Sequence, residues 1–259
     1  MMKFSIVTIT LNSERYLDKT IRSVLSQDYP DMEYILIDGG STDGTLDLIR
    51  AYAGRDSRIR WTSEADQGIA DAMNKGIRLA TGDVISHLHS DDYYATTHVL
   101  SRVAAQFDQH PEALWLTGGE YIVDEQGNTL QEIKVRRYSY RKLVRCNFIL
   151  HPATFVRKEG FRRGGLFDIK KRYAMDYDLW LRLGKLGAPI TVDRPLACFR
   201  LHAGSLSSAE TEKAFDEALQ IRKALLKKQP VRFFFHYLYY LVKRRRNSNS
   251  VRRLPRGIR

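Results

Sequence analysis

Residues 4–10 are an unbroken apolar, β-branched run of strand length, after which Asn12 and Ser13 offer N-cap chemistry to a helix over 14–26. Within that helix Tyr16, Leu17, Ile21, Val24 and Leu25 recur at helical spacing, and Pro30 closes the unit. The pattern then repeats: a strand over 34–37 leads through Gly39-Gly40-Ser41-Thr42-Asp43-Gly44 into a helix over 45–52. A strand over 59–62 precedes a helix over 68–80, stopped at Thr81-Gly82, and 83–88 forms the next strand. The second half is more mixed, with a helix over 97–107, strands over 114–118 and 121–123, and a hairpin-type turn at Gly127-Asn128. A helix over 176–186 and strands over 190–192 and 196–200 complete the body. Alternation at this pitch predicts an α/β protein with a doubly wound, Rossmann-like and mostly parallel sheet flanked by helices.

In such a sheet ligands bind outside the carboxyl ends of the strands. Asp38 ends the 34–37 strand and Ser90-Asp91-Asp92 follows the 83–88 strand, so acidic groups from two strand ends face one crevice. Paired carboxylates suit a magnesium-like cation shared with the phosphates of a substrate. A metal-bound, phosphate-bearing ligand is the first expectation. Asp38 beside Gly39-Gly40-Ser41 reads equally as a capping device for its own loop or as a group that approaches a base or ribose. Asp71, Asn74 and Lys75 fall on the first turns of a helix whose N-terminus attracts anions, although this segment alone reads as a solvated helix face.

Composition adds bounds. With 259 residues and 43% hydrophobic content the chain has room for one large or two small α/β domains. Only Cys146 and Cys198 are present, which leaves a disulfide framework unsupported and favours a reducing compartment. The apolar run after Met1-Met2-Lys3 is too short for a signal peptide, and no stretch nears the roughly 18 apolar residues of a spanning helix, so a cytoplasmic chain is expected. The net charge of +12 is local: residues 218–259 hold 13 Lys or Arg and no acid, leaving 29 basic against 30 acidic side chains elsewhere. A neutral body with a basic tail argues for a surface-binding appendage.

Within that tail, 231–242 carries Phe233, Phe234, Phe235, Tyr237, Tyr239 and Tyr240 ahead of Lys243-Arg244-Arg245-Arg246. It is too short to span a bilayer. It suits an interfacial helix on anionic lipid through 230–246, or packing on the body or on a second subunit. Aromatic and basic residues are segregated, so no nucleic-acid partner is expected. Residues 247–259 read as a disordered basic tail.

The ordered set Thr10-x-Asn12, Glu33 to Asp38 with Gly-Gly-Ser-Thr-Asp-Gly, Asp66 to Gly76, Thr81-Gly82-Asp83, Ser90-Asp91-Asp92, Asp176-Tyr177-Asp178-Leu179-Trp180-Leu181-Arg182 and Arg200-x-His202-x-Gly204-Ser205 resembles the family 2 glycosyltransferases of GT-A fold. The Asp-Gly-Gly-Ser version looks most like bacterial enzymes of O-antigen, capsule or exopolysaccharide synthesis. The resemblance implies a catalytic domain over 1–208 and C-terminal helices over 209–246. It implies an inverting transferase using Mg2+ or Mn2+ and a nucleoside-diphosphate sugar, expected to be a UDP-sugar. The acceptor would be a glycan or polyprenyl-linked hydroxyl at the cytoplasmic face of the inner membrane.

Carried over by position, Thr10, Asn12 and Asp38 match nucleoside contacts, and Asp66 and Lys75 lie where the nucleotide and diphosphate are held. Asp91 falls toward ribose or donor sugar, Asp92 as the direct metal ligand, and His202 in a segment that reaches the diphosphate and metal. Asp176 matches the catalytic base. Met175 stands where many relatives have a second acid, which leaves Asp178 as a rival base and His151, in an acceptor-side stretch, as a minor candidate. A Gln-x-x-Arg-Trp motif is absent, which favours addition of one sugar over processive synthesis. The alternatives are a nucleotidyltransferase, whose glycine-rich basic loop 8–13 lacks, and a retired membrane-associated nucleotide-binding module. Phosphate-loop, Gly-x-Ser-x-Gly and Gly-x-Gly-x-x-Gly signatures are missing.

Overall fold

The computed structural model describes residues 1–202 and 210–251; Gly204, Ser205, the boundary expected at 208 and the stretch 252–259 lie outside the described residues. Strands β1 (Phe4–Thr10), β2 (Met32–Asp38), β3 (Ile59–Ser63) and β4 (Val84–His87) alternate with helices α1 (Glu14–Leu25), α2 (Thr45–Ala53) and α3 (Ile69–Leu79). There follow β5 (Tyr93–Tyr94), α4 (Val99–Gln109), β6 (Trp115–Val123), β7 (Thr129–Ile133) and α5 (Tyr140–Arg145). A 3-10 turn at His151–Ala153 then leads into β8 (Thr154–Arg157), α6 (Lys158–Gly164), α7 (Met175–Leu186) and β9 (Ile190–Arg200). Two further helices, α8 (Thr211–Leu225) and α9 (Pro230–Val251), close the described chain.

The strands form one sheet in the order β3-β2-β1-β4-β8-β6-β9-β5, with β7 on β6. Its first four strands are parallel, with Thr10 level with Asp38 and Val7 level with His87. Alternate residues of the same strands feed two cores. Val7, Ile9, Ile35, Ile37 and Ile85 pack with Met73 and Ile77 of α3 and Leu179 and Leu183 of α7. Phe4, Ile6, Tyr34, Leu36 and Val84 pack with Leu17 and Ile21 of α1, Ile49 of α2 and Phe107 of α4. A strand buried on both faces needs a continuous apolar run, which is what 4–10 supplies. Gly76 lets α3 lie close on β1: a Cβ there would fall 2.2 Å from Val7 Cγ1.

Two local expectations change. The sheet is mixed, because β8 runs antiparallel between β4 and β6, and β5 antiparallel on β9. With four and two residues, these strands are too short to show a period. Ser13 stands at the N-cap of α1 without making a side-chain cap, since its Oγ meets Ser90 Oγ at 2.8 Å and Leu11 O at 3.2 Å. The caps come from across the helix pair instead. Asp43 Oδ2 accepts from Glu14 N at 3.2 Å, and Glu14 Oε2 accepts from Gly44 N at 3.0 Å, so each helix start neutralises the other.

The C-terminal helices are docked on the body. Arg222 of α8 donates to Arg145 O at 2.8 Å, and His236 and Tyr240 of α9 are buried. The opposite face of α9 leaves Val231, Phe234, Phe235, Leu238, Leu241 and Val242 exposed. Among the described residues no helix is long and apolar enough to cross a membrane.

Glu33 pins the amino-terminal ends of the parallel strands. Burial opposes its charge, but hydrogen bonds from Ser5 Oγ at 2.6 Å and Thr81 N at 2.6 Å win and hold its carboxyl down at about 2. A carboxyl depressed on folding stabilises the protein above its ordinary pKa and loses that contribution as pH falls through the folded value. Glu33→Gln is expected to cost about 1–3 kcal/mol at pH 7, with the gap to wild type narrowing toward acid pH, measured by urea unfolding at both pH values.

Candidate active site

At the carboxyl end of β2, Asp38 is fully buried and gives both oxygens to its own loop. Its Oδ2 accepts from Gly40 N and Ser41 N at 3.0 Å each and from Ser63 Oγ at 2.7 Å, while Oδ1 accepts from Ser41 Oγ at 2.5 Å. Burial alone would raise its pKa; the Ser41 and Ser63 bonds reverse that and lower it. Of the two readings left open for Asp38, the loop-holding one is visible here. Gly40, at φ +89°, allows the turn that brings those amides inward. Asn12, also left-handed at φ +49°, accepts from Thr42 N at 2.9 Å and donates its own amide to Ser41 Oγ at 2.8 Å. Thr10 Oγ1, beside them, is buried without a partner.

Asp66 closes the far side of this loop, near enough that a Cβ on Gly39 would lie 2.6 Å from its Oδ2, and it accepts from Gly68 N at 2.7 Å. Lys75 is turned back onto the same segment. Its ammonium meets Glu64 Oε1 and Ala65 O at 2.9 Å each and Asp71 Oδ2 at 3.8 Å, and the Glu64 bond raises its pKa.

The Ser13–Ser90 hydrogen bond ties this group to the residues after β4. There Asp91 Oδ2 and His202 Nε2 stand 2.8 Å apart, both part-exposed, with the His202 ring 4.9 Å from that of Tyr16. Asp92 points the other way: it is 1% exposed and its Oδ1 accepts from Arg200 N at 3.0 Å. Burial first, and the Asp91 charge second, push its carboxyl well above the usual range. Arg200 locks the corner, donating to Asp91 O at 3.0 Å and Glu125 O at 2.6 Å with its guanidinium over Tyr16 and Tyr93. The sequence motif contained Arg200 but gave it no role.

Asp176 occupies the first turn of α7. Its Oδ1 accepts from Tyr177 N at 2.6 Å and its Oδ2 from Asn147 Nδ2 at 3.0 Å. Burial raises its pKa, with the bonds from Tyr177, Asn147 and Trp180 pulling back only part of the shift. Asp178 is otherwise engaged: its Oδ2 binds Arg182 Nε at 2.9 Å, while the same guanidinium donates to Gly164 O and Leu166 O. Asn147, which no sequence pattern marked, is thus the side chain that aims Asp176.

A chain of rings joins the two ends of the crevice. His89, two residues before Asp91, lies 5.0 Å from His151, which lies 5.8 Å from Trp180, one turn on from Asp176. His87 flanks His151 at 6.0 Å, and burial pushes the His151 imidazole well below its ordinary pKa, with His89 and His87 adding to the shift.

The chain matches a known family. The profile described as "Glycosyl transferase family 2" matches residues 5–166, and the chain belongs to that family. It is 33% identical over 183 residues to a PGL/p-HBAD biosynthesis glycosyltransferase of Mycobacterium bovis (strain BCG / Pasteur 1173P2), covering 69% of this chain and 68% of the relative. An uncharacterized glycosyltransferase of Haemophilus influenzae is 32% identical, covering 62% of this chain and 65% of that one. Among solved structures, S. aureus TarS 1-349 in complex with UDP-GlcNAc superposes with TM-score 0.69 at 20% identity, over 87% of this chain and 67% of that one. Mannosyltransferase PcManGT from Pyrobaculum calidifontis, in complex with GDP-Man and Mn2+, gives 0.64 at 17% identity, over 86% and 64%. The fold is therefore the GT-A glycosyltransferase fold.

Proposed function

We propose that this chain moves one sugar, with inversion, from a nucleoside-diphosphate donor to a hydroxyl of a glycan or polyprenyl-linked acceptor in cell-surface polysaccharide synthesis. The observation that carries this reading is the continuous contact path from the Asp38 loop, through Ser13–Ser90, to Asp91–His202 at one end and Asp176 at the other. A UDP-sugar is the expected donor, with Thr10, Asn12 and Asp66, around the loop that Asp38 holds, as its nucleoside contacts.

Asp91 Oδ2 and His202 Nε2 make a compact oxygen–nitrogen pair on the open side of the crevice, which fits a divalent cation completed by substrate phosphates. The imidazole tilts that fit toward Mn2+ over Mg2+. Such a cation would supply positive charge to the leaving diphosphate. Asp92, to which the sequence pattern gave the metal, has one oxygen committed to the Arg200 amide, so Asp91 is the better ligand and Asp92 positions the end of β9. Lys75 holds the loop at 64–66 and reaches the diphosphate only by exchanging Glu64 for it.

Asp176 is the base. Its raised pKa makes its ionised form a stronger proton acceptor for the attacking hydroxyl, and Asn147 and the Tyr177 amide keep it oriented. The acceptor side lies toward α5 and Asn147, against which α8 and α9 pack. The exposed stripe on α9, with Val231 71%, Phe234 54% and Phe235 64% exposed and no acid from 218 onward, suits the anionic cytoplasmic face of a membrane bearing a lipid-linked acceptor.

Calorimetric titration with UDP and manganese separates the transferase from a chain with a retired site. Wild type is expected to bind; Asp91→Ala is expected to lose at least about tenfold in affinity, while Asp92→Asn, which keeps an acceptor for Arg200 N, loses less. No binding by wild type defeats the reading, and release of pyrophosphate from a nucleoside triphosphate would favour a nucleotidyltransferase. Asp176→Asn is expected to cut turnover by about two to four orders of magnitude with UDP affinity intact. Asp178→Asn, by contrast, costs about 1 kcal/mol of stability and leaves turnover within about twofold. The wild-type rate is expected to fall as pH drops through a pKa above the ordinary carboxylate range, read from a pH–rate profile. Phe234→Asp with Phe235→Asp should abolish sedimentation with phosphatidylglycerol vesicles while leaving the unfolding temperature near wild type; undiminished sedimentation removes α9 from the membrane reading.

A further inference from the structure

Between Asp91–His202 and Asp176 stand two imidazoles that neither end of the proposed reaction uses. The Nε2 atoms of His89 and His151 are buried without a hydrogen-bond partner within the protein, whereas the Nε1 of Trp180, next in the chain of rings, bears on the Asp176 carboxylate. Neighbouring rings are satisfied: His87 Nε2 lies 3.4 Å from Met73 O, and Trp115, stacked on Trp180 at 5.7 Å, donates to Gly187 O at 3.0 Å. Other unpaired buried polar atoms, such as His236 Nδ1 and the Tyr138 and Tyr140 hydroxyls, lie elsewhere in the fold; His89 and His151 are the contacting pair between the two ends of the proposed site. Buried polar atoms seldom stay unpaired in native proteins, and two on contacting rings call for a polar guest.

The chemistry of that guest follows from the rings. A neutral imidazole donates at one nitrogen and accepts at the other, a set matched by hydroxyl groups, which do both. Burial keeps His151 neutral, which disfavours an anion as its partner. No group of three or more His, Cys, Asp or Glu side chains that could hold a metal ion occurs among the described residues, at these rings or elsewhere. In a transfer reaction the sugar must lie between the diphosphate and the base, which is the interval these rings cover.

We propose that His89 and His151 form a hydroxyl-recognising subsite at the reacting sugar and select which sugar is used; this rests on the transferase reading above. The same chemistry is offered by a donor sugar and by an acceptor sugar, so the test has two arms. Wild type, His89→Leu, His151→Leu and His151→Gln are compared in metal-dependent hydrolysis of UDP-glucose, UDP-galactose and UDP-N-acetylglucosamine, and in transfer from them to octyl glycosides. UDP affinity and unfolding temperature are measured alongside.

The Leu variants are expected to lose about 10–100-fold in kcat/KM with UDP affinity within about twofold of wild type. Glutamine, whose amide reaches the Nε2 position, should restore most of that loss. Loss in hydrolysis assigns the subsite to the donor sugar; loss in transfer alone assigns it to the acceptor. Equal rates in wild type and variants overturn the inference, as does a loss that follows the unfolding temperature and is not rescued by glutamine. A wild type that neither binds UDP nor hydrolyses any donor overturns the transferase reading itself, a result distinct from equal rates.

Discussion

A carboxylate taken below the surface must find donors, and at the ends of these strands the donors are backbone amides. Asp38 takes Gly40 N and Ser41 N, Asp92 takes Arg200 N, and Asp176 takes Tyr177 N. Each acid is thereby tied to a particular turn of chain, so the loops around the crevice owe their shape to the charges they enclose. Removing one such acid disturbs an amide as well as a charge.

The number of donors sorts the three acids by role. Asp38, with four hydrogen bonds, stays ionised and immobile, which suits a loop anchor. Asp92 has one amide, that of Arg200, against burial and the charge of Asp91, and its carboxyl is driven toward the neutral form. Asp176 lies between them: the Tyr177 amide, Asn147 and Trp180 bear on it, yet burial still lifts its pKa. A base needs that intermediate state, ionised at working pH and with a real affinity for a proton.

The first half of the fold was legible because each of β1 to β4 is followed by a loop or helix with its own punctuation, and strands buried on both faces announce themselves as apolar runs. The antiparallel insertion was not, since β8 has four residues and follows a 3-10 turn with no periodic signal. The acidic residues of the site were legible through their positions at strand ends and through motif order. Their partners were less so. Asn147 sits in a stretch without regular structure, and Arg200 reads as an ordinary strand-end cation until its guanidinium is seen spanning Asp91, Asp124 and Glu125. His87 and His89 look like alternating strand residues, and only the fold brings His151 beside them. Cap prediction at Ser13 failed for a related reason: a hydroxyl with a better tertiary partner in Ser90 abandons the local one.

The tail and the proposed base are joined by a short run of contacts. Arg145, the last residue of α5, gives its carbonyl to Arg222 of α8 and lays its guanidinium 5.7 Å from the ring of Tyr239 on α9. Two residues later Asn147 holds Asp176 Oδ2. The exposed stripe thus lies on a helix that touches α5, two residues from the side chain that orients Asp176. On the proposed membrane reading this places the lipid surface and the proton acceptor on one short path, so that an acceptor carried by the lipid arrives at the side where Asp176 is held. The same path explains why α9 buries His236 and Tyr240 against the body while leaving its phenylalanines outside: one face fixes the helix to α5 and α8, and the other is left for what the body does not supply.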